Sequence, residues 1–323
     1  MPGPLGDLQL QLATMSMHAP GHIGLMVEDL TTGLSTSVNA GATMPAASTI
    51  KIPVMVEVFR RLSLGSFDLN RRVTLLASDR DWGWGDLADA RVGSRYPVAQ
   101  LLNLMITDSD NTATNMLIRL VGRTAINREM QALGLRQTWL GDYIRSEGPI
   151  RYKLRSSARD MVLLLGEMAH DRLVDAWSSR EMLEILTGQR HNTLLPVPLP
   201  PGTTIAHKTG SLHDTLNDVG IVFLADAPYA IAVMTTNLPS LDAGRRFIRD
   251  VSRVAYDELS RFGVWREANL PGFTLPLALP VVSKAAGPAT PDLKMWSPPG
   301  HGEASAIPGD AAAPTPEPAG ATE

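Results

Sequence analysis

The chain has 323 residues, 44% of them apolar, and a formal net charge of −4. That is ample apolar material for a large soluble core, and the interspersed charges mark no surface for nucleic acid or an anionic membrane. Cysteine is absent, which excludes disulfides, thiolate catalysis and cysteine-ligated metals.

The first segment, Met1 to His22, lacks a basic n-region and a long apolar core, so it does not read as a secretory signal. No run approaches the length of a membrane span. The sequence as given therefore implies a cytoplasmic protein; an upstream start codon would make it an exported one. Leu5 to Met15 suggests a first helix. "HIGLMVEDL" and "LSTSVN", joined by "TTG", read as a strand pair. Next comes "AASTIKIP", in which Lys51 interrupts an apolar run of Ile50, Ile52, Val54, Met55, Val56, Val58 and Phe59. Ser48 stands three residues before that lysine. On a helix the two share a face, with Ser48 near the N-terminus where free N–H groups favour developing negative charge.

A helical region follows. Val98, Leu101, Leu102 and Met105 recur at helical spacing, as do Ala113, Met116, Leu117 and Leu120, with Gly122 as a stop. Thr124 is placed to cap "AINREMQAL", which ends at Gly134. Ser157 and Asp160 resemble a capping box opening "ARDMVLLLGEMA". Strands return with "DVGIVFLA" and "YAIAVMTTN" around a turn at Asp226–Pro228. A last amphipathic helix carries Phe247, Ile248, Val251, Val254, Ala255 and Leu259, with Gly263 just past its end. Residues 264–323 hold nearly half of the 24 prolines and read as a mostly disordered tail. The expected fold is α+β: residues 1–263 form one antiparallel sheet from N- and C-terminal strands, flanked by helices, with an all-helical lobe inserted and a cleft between.

Three short motifs carry the chemistry. A serine hydroxyl is a poor nucleophile at neutral pH, and a lysine desolvated among apolar side chains can take its proton. Ser48 and Lys51 fit that pair, although such spacing also arises by chance. Ser109-Asp110-Asn111 fits an ordinary helix N-cap as well as a site. Lys208-Thr209-Gly210-Ser211 fits an edge strand with a solvated lysine. Together, in this order, SxxK, SDN and KTG form the signature of class A β-lactamases and penicillin-binding proteins. The chain resembles that group over about residues 5–263, through "ASTIKIP", "LMITDSDNTATNMLI", "SSARDM" and "HKTGS".

The resemblance implies the following roles. Ser48 is the acylated nucleophile and Lys51 its proton acceptor or relay. Ser109 passes a proton to the leaving nitrogen, and Lys208 keeps that hydroxyl's surroundings positive. Asn111 holds the substrate's side-chain amide. The backbone N–H groups of Ser48 and Ser211 form the oxyanion hole. Thr209 and Ser211, flanking Gly210, meet a substrate carboxylate. A small-molecule substrate is implied, with no nucleic acid or membrane partner. The seven His residues show no HExxH-like spacing, so no metal or other cofactor is expected.

Two departures stand out. The hydrolytic branch carries an ExxLN loop whose glutamate activates water; here "WLGDYIRSEGPIRYKLRSSARDM" lacks it and offers only Glu147, either a replacement base or an exposed loop carboxylate. Leu216 also stands where many members clamp the substrate carboxylate with arginine. Trp82 and Trp84 flank the expected cleft, as substrate contacts or as loop aromatics packed on the lobe. Three activities follow: a β-lactamase acylated at Ser48, an esterase or small-amide hydrolase on the same fold, or a penicillin-binding protein that acylates and barely turns over.

Overall fold

A computed structural model describes residues 3–146 and 153–272. The elements in chain order are α1 (Pro4–Met17), β1 (His22–Asp29), β2 (Ser35–Val38), β3 (Met44–Pro45), a 3₁₀ turn over Ala47–Ile50 and α2 (Lys51–Ser63). Then come β4 (Arg72–Thr74), β5 (Arg95–Pro97), α3 (Val98–Thr107), α4 (Asn111–Val121), α5 (Arg123–Ala132), β6 (Trp139–Leu140) and β7 (Leu154–Ser156). The chain closes with α6 (Ala158–Ala169), α7 (Ala176–Thr187), β8 (Ile205–Leu212), β9 (Thr215–Val222), β10 (Tyr229–Thr236) and α8 (Leu241–Asn269).

The main sheet has the order β2-β1-β10-β9-β8 and is antiparallel throughout. Strands from the two ends of the sequence therefore meet at the centre, His22 opposite Thr236 and Asp29 opposite Tyr229. Side chains of a strand alternate between faces, and β10 divides accordingly. Tyr229, Ile231 and Val233 pack with Leu5, Leu8 and Leu12 of α1 and with Phe247, Ile248, Val251 and Leu259 of α8. Ala230, Ala232 and Met234 face the larger core built from α2 to α7. Both faces are covered, so β9 and β10 are buried along their whole length. The fold is α+β, with the helical lobe inserted between the N- and C-terminal strands as expected.

Local chemistry explains the element ends. Gly122, at φ 88°, closes α4 and opens α5. With one residue between the helices there is no room for Thr124 to cap, and the expected Thr124 cap is corrected: α5 already begins at Arg123 without a side-chain cap. Ser157 does cap α6, accepting from Asp160 N at 3.1 Å. The Asp160 carboxylate turns instead to Gln137 N and Thr138 Oγ1, both at 2.8 Å. The expected stop at Gly263 is also corrected, because α8 continues through it to Asn269. A Cβ there would lie 3.0 Å from Asp226 Cβ, so the glycine serves close packing of helix on the β9–β10 turn. Among the described residues no helix is long and apolar enough to cross a membrane.

Candidate active site

Ser48 lies in the 3₁₀ turn that feeds α2, and Lys51 is the first residue of that helix. The preceding Ala47 has φ 48°. A positive φ in a residue with a Cβ costs about 1–3 kcal/mol and persists only where surrounding structure enforces it. Lys51 has no exposed surface. Its Nζ donates to Ser109 O at 2.6 Å, Ser109 Oγ at 3.1 Å and Asn111 Oδ1 at 2.8 Å. The lysine inside the apolar run is thus a buried group with three specific acceptors.

The acceptors sit between α3 and α4. Ser109 also has a positive φ, 57°, which turns its carbonyl and hydroxyl towards Lys51. Asp110 caps α4 by accepting from Ala113 N at 2.7 Å and also accepts from Leu87 N at 2.9 Å. The triplet is therefore both a helix cap and part of a polar cluster; one geometry serves both.

Lys208 enters from β8, the edge strand of the main sheet. It too is fully buried, and its Nζ donates to Ser109 Oγ at 3.1 Å and Thr209 O at 3.0 Å. The Ser109 hydroxyl is thus shared by two lysines from different elements, α2 and β8. Close approach of β8 to the Ser48 turn requires Gly210: a Cβ there would lie 2.9 Å from Ala46 O and 3.0 Å from Ser48 N. Asn217, opposite Gly210 in the ladder, holds the same turn by donating to Pro45 O at 2.9 Å and Ala46 O at 3.1 Å.

Electrostatics follow from burial. Desolvation holds the Lys51 ammonium well below its usual range; Lys208 lowers it further, while Asp110 and Asp81 oppose. Desolvation pushes Lys208 down to about 7, against the pull of Asp218. Two unscreened ammonium groups sharing one hydroxyl repel, so at neutral pH this arrangement favours an amine that accepts a proton.

A cleft of about 590 Å³ opens on this cluster, lined by Ser48, Trp84, Asn111, Ser146, Ser211 and Leu212 among others. A recess of about 200 Å³ adjoins it, lined by Ser48, Ser109, Thr209, Gly210, Ser211 and Arg245. Trp84 borders both and meets His191 edge-on at 5.4 Å. Trp82 is 67% exposed, stands beneath Arg80 and lines neither. Leu216, where an arginine was the family expectation, borders the recess, and Arg245 from α8 reaches the same space.

The fold thus gathers Ser48, Lys51, Ser109, Asn111, Lys208, Thr209, Gly210 and Ser211 around one cleft. Glu147 lies outside the described residues. Sequence reasoning missed Arg245, Asn217 and Asp81. For Arg245 there was no local signal, because α8 reaches the recess only through tertiary packing. Asp81 carried a faint one: an aspartate two residues before Gly83 in "RDWGWGD" suits an Asx turn, and Gly83 N does donate to Asp81 Oδ1 at 3.0 Å.

A family model described as "Beta-lactamase enzyme family" matches residues 7–259. The chain belongs to this β-lactamase enzyme family. Among curated relatives of this family member, the extended-spectrum β-lactamase PER-1 of Pseudomonas aeruginosa is 26% identical over 238 residues, 68% of this chain and 76% of that protein. The solved β-lactamase of Sphaerobacter thermophilus is 31% identical with a TM-score of 0.73, covering 79% of this chain and 97% of its own. A point mutant of PBP-A, solved as an acyl-enzyme complex with penicillin G, is 32% identical with a TM-score of 0.75, covering 81% of this chain and 100% of its own.

Proposed function

We propose that this chain is a serine hydrolase of class A β-lactamase type, acylated at Ser48 by β-lactam amides. The observation that carries the reading is the Ser109 hydroxyl held between two buried lysines, 3.1 Å from each, in the recess that Ser48 lines. In the acylation step Ser48 Oγ attacks the lactam carbonyl carbon and its proton passes to Lys51, whose neutral amine donates to two of its three neighbouring acceptors at a time and takes the proton on its lone pair. Charge developing on the carbonyl oxygen is met by the N–H groups of Ser48 and Ser211; losing one such donor typically costs about 10²–10³ in rate. The C–N bond breaks as Ser109 gives its proton to the leaving nitrogen and regains one from Lys51, with Lys208 holding the hydroxyl in place. The substrate carboxylate is met by the Thr209 and Ser211 hydroxyls and by Arg245. Of the two Asn111 amide hydrogens, one goes to Asp81 at 2.7 Å. Ser146 Oγ, itself bonded to that same Asp81 oxygen, lies on the same side of Nδ2 at 3.3 Å, so the second hydrogen is the one a substrate carbonyl can take.

For the water that clears the acyl group, Lys51 is the base within the described site once it has returned its proton; Glu147 is the carboxylate in the adjoining segment. The similarity to PBP-A favours a second reading, a penicillin-binding protein in which this step is slow. A chromogenic cephalosporin and a short p-nitrophenyl ester, offered side by side, test the proposal. Cephalosporin turnover that disappears in Ser48→Ala is expected. Ester turnover alone moves the activity to an esterase, and a cephalosporin burst without turnover moves it to the penicillin-binding reading.

A further inference from the structure

Asp81 lies in none of the three motifs, yet it joins three walls of the cleft. It is 7% exposed. Its Oδ1 accepts from Asn111 Nδ2 at 2.7 Å, from Gly83 N at 3.0 Å and, in a short contact, from Ser146 Oγ. Its Oδ2 accepts from Ser146 N at 2.6 Å. Gly83, Asn111 and Ser146 each line the large cleft and come from three separate segments. Burial alone would push the Asp81 carboxyl up, but the hydrogen bonds from Ser146, Asn111 and Gly83 outweigh it and hold it below its usual range.

An ionised carboxylate only accepts hydrogen bonds. It therefore dictates which end of the Asn111 amide faces it. With Nδ2 turned to Asp81, Oδ1 must face Lys51 Nζ, where it accepts at 2.8 Å. The flipped amide would set oxygen against carboxylate and NH₂ against the lysine, losing both bonds. We propose that Asp81 is a positioning residue for Ser48 acylation: its carboxylate fixes the Asn111 amide so that the carbonyl oxygen faces Lys51, and it ties the Ser146 wall of the cleft to that same amide. The inference rests on the acylation reading above and deepens it.

The charge has a second consequence. Lys51 faces Lys208 from β8, Asp110 from the start of α4 and Asp81 from the loop before Trp84; the two aspartates favour its protonated form and Lys208 disfavours it. Removing the Asp81 charge therefore makes Lys51 release its proton at lower pH, while removing the amide's anchor makes it a worse-placed base.

The test is acylation of the full chain by penicillin G, quenched and read by intact mass, from about pH 5 to pH 9. For Asp81→Asn, acylation is expected to slow about 10²-fold, with its acid limb displaced to lower pH. Loosened packing alone would slow the reaction without moving the limb. Asp81→Glu keeps the charge, so its limb stays where the wild type has it and part of the rate returns. An unchanged Asp81→Asn rate, or a slower rate with an unmoved limb, overturns the proposal. If Asp81→Asn does not fold, Asp81→Ser, which also removes the charge, decides: a slowed rate with the acid limb at lower pH supports positioning, and the wild-type rate or an unmoved limb overturns it. A wild-type chain that neither takes up nor hydrolyses penicillin at any pH overturns the acylation reading and this inference with it.

Discussion

Arg245 and Leu216 border the same recess, and their chemistry divides the task of meeting a substrate. Leu216 can only pack. Arg245 can pair with a carboxylate, and its present partner, Asp242, is 72% exposed. An exposed ion pair of this kind is worth at most about 1 kcal/mol, so exchanging Asp242 for a substrate carboxylate costs little. Thr209 and Ser211 offer hydroxyls to the same anion. Arg245→Ala is therefore expected to raise KM for a carboxylated penicillin about tenfold, the loss of one charge-assisted contact. It should leave hydrolysis of an uncharged ester unchanged. Steady-state kinetics with the two substrates check this, and an equal effect on both would remove Arg245 from carboxylate recognition.

At the scale of elements, the site depends on β8 and β9 lying against the turn that carries Ser48. Asn217 makes that junction. It is fully buried, donates to Pro45 O and Ala46 O, and accepts from Thr235 N at 3.0 Å. Asn217→Ala would take a side-chain partner from Pro45 O and from Thr235 N, while Ala46 O keeps Thr49 N and Thr49 Oγ1, and is expected to destabilise the fold by about 1–3 kcal/mol, measured by urea unfolding. Loss of less than about 0.5 kcal/mol would mean that the turn is held by other contacts. The junction also shows what the sequence could tell. Helical spacing located α3, α4 and α8, because each buries a stripe, and β-rich composition around turn residues located β1, β2, β9 and β10, although β9 and β10 are buried on both faces. The Ser48, Ser109 and Lys208 motifs were legible because their chemistry needs fixed local spacing. Asn217, Arg245 and Asp81 were not, because their partners lie far away in sequence. Gly263 and Thr124 misled for a related reason. A glycine or threonine near a helix end is an ordinary local signal, and here packing on Asp226 and the one-residue junction at Gly122 override it.

At the scale of the whole molecule, two buried lysines impose a stability cost with a definite pH dependence. Lys208 has a folded-state pKa of about 7 against an ordinary value of 10.5. Between those values the unfolded chain binds more protons, so stability rises with pH across that window and is flat below it. Lys208→Met has no such proton to lose. The difference in unfolding free energy between wild type and Lys208→Met should therefore move in the wild type's favour from pH 7 to pH 10.5, by up to about 5 kcal/mol. Urea denaturation of both proteins at several pH values checks the sign, and a pH-independent difference would mean that Lys208 is charged in the folded protein.

That cost makes sense only if the buried amines serve Ser48, and one measurement addresses this directly. The purified chain is mixed with penicillin G, quenched in acid within seconds, and its intact mass and peptide map are read. The account predicts a mass gain equal to one whole penicillin, because ring opening expels nothing, located on the peptide holding Ser48 and absent from both Ser48→Ala and Lys51→Ala. A wild-type chain that neither carries the adduct nor hydrolyses the penicillin, or an adduct that persists in Ser48→Ala, would contradict it.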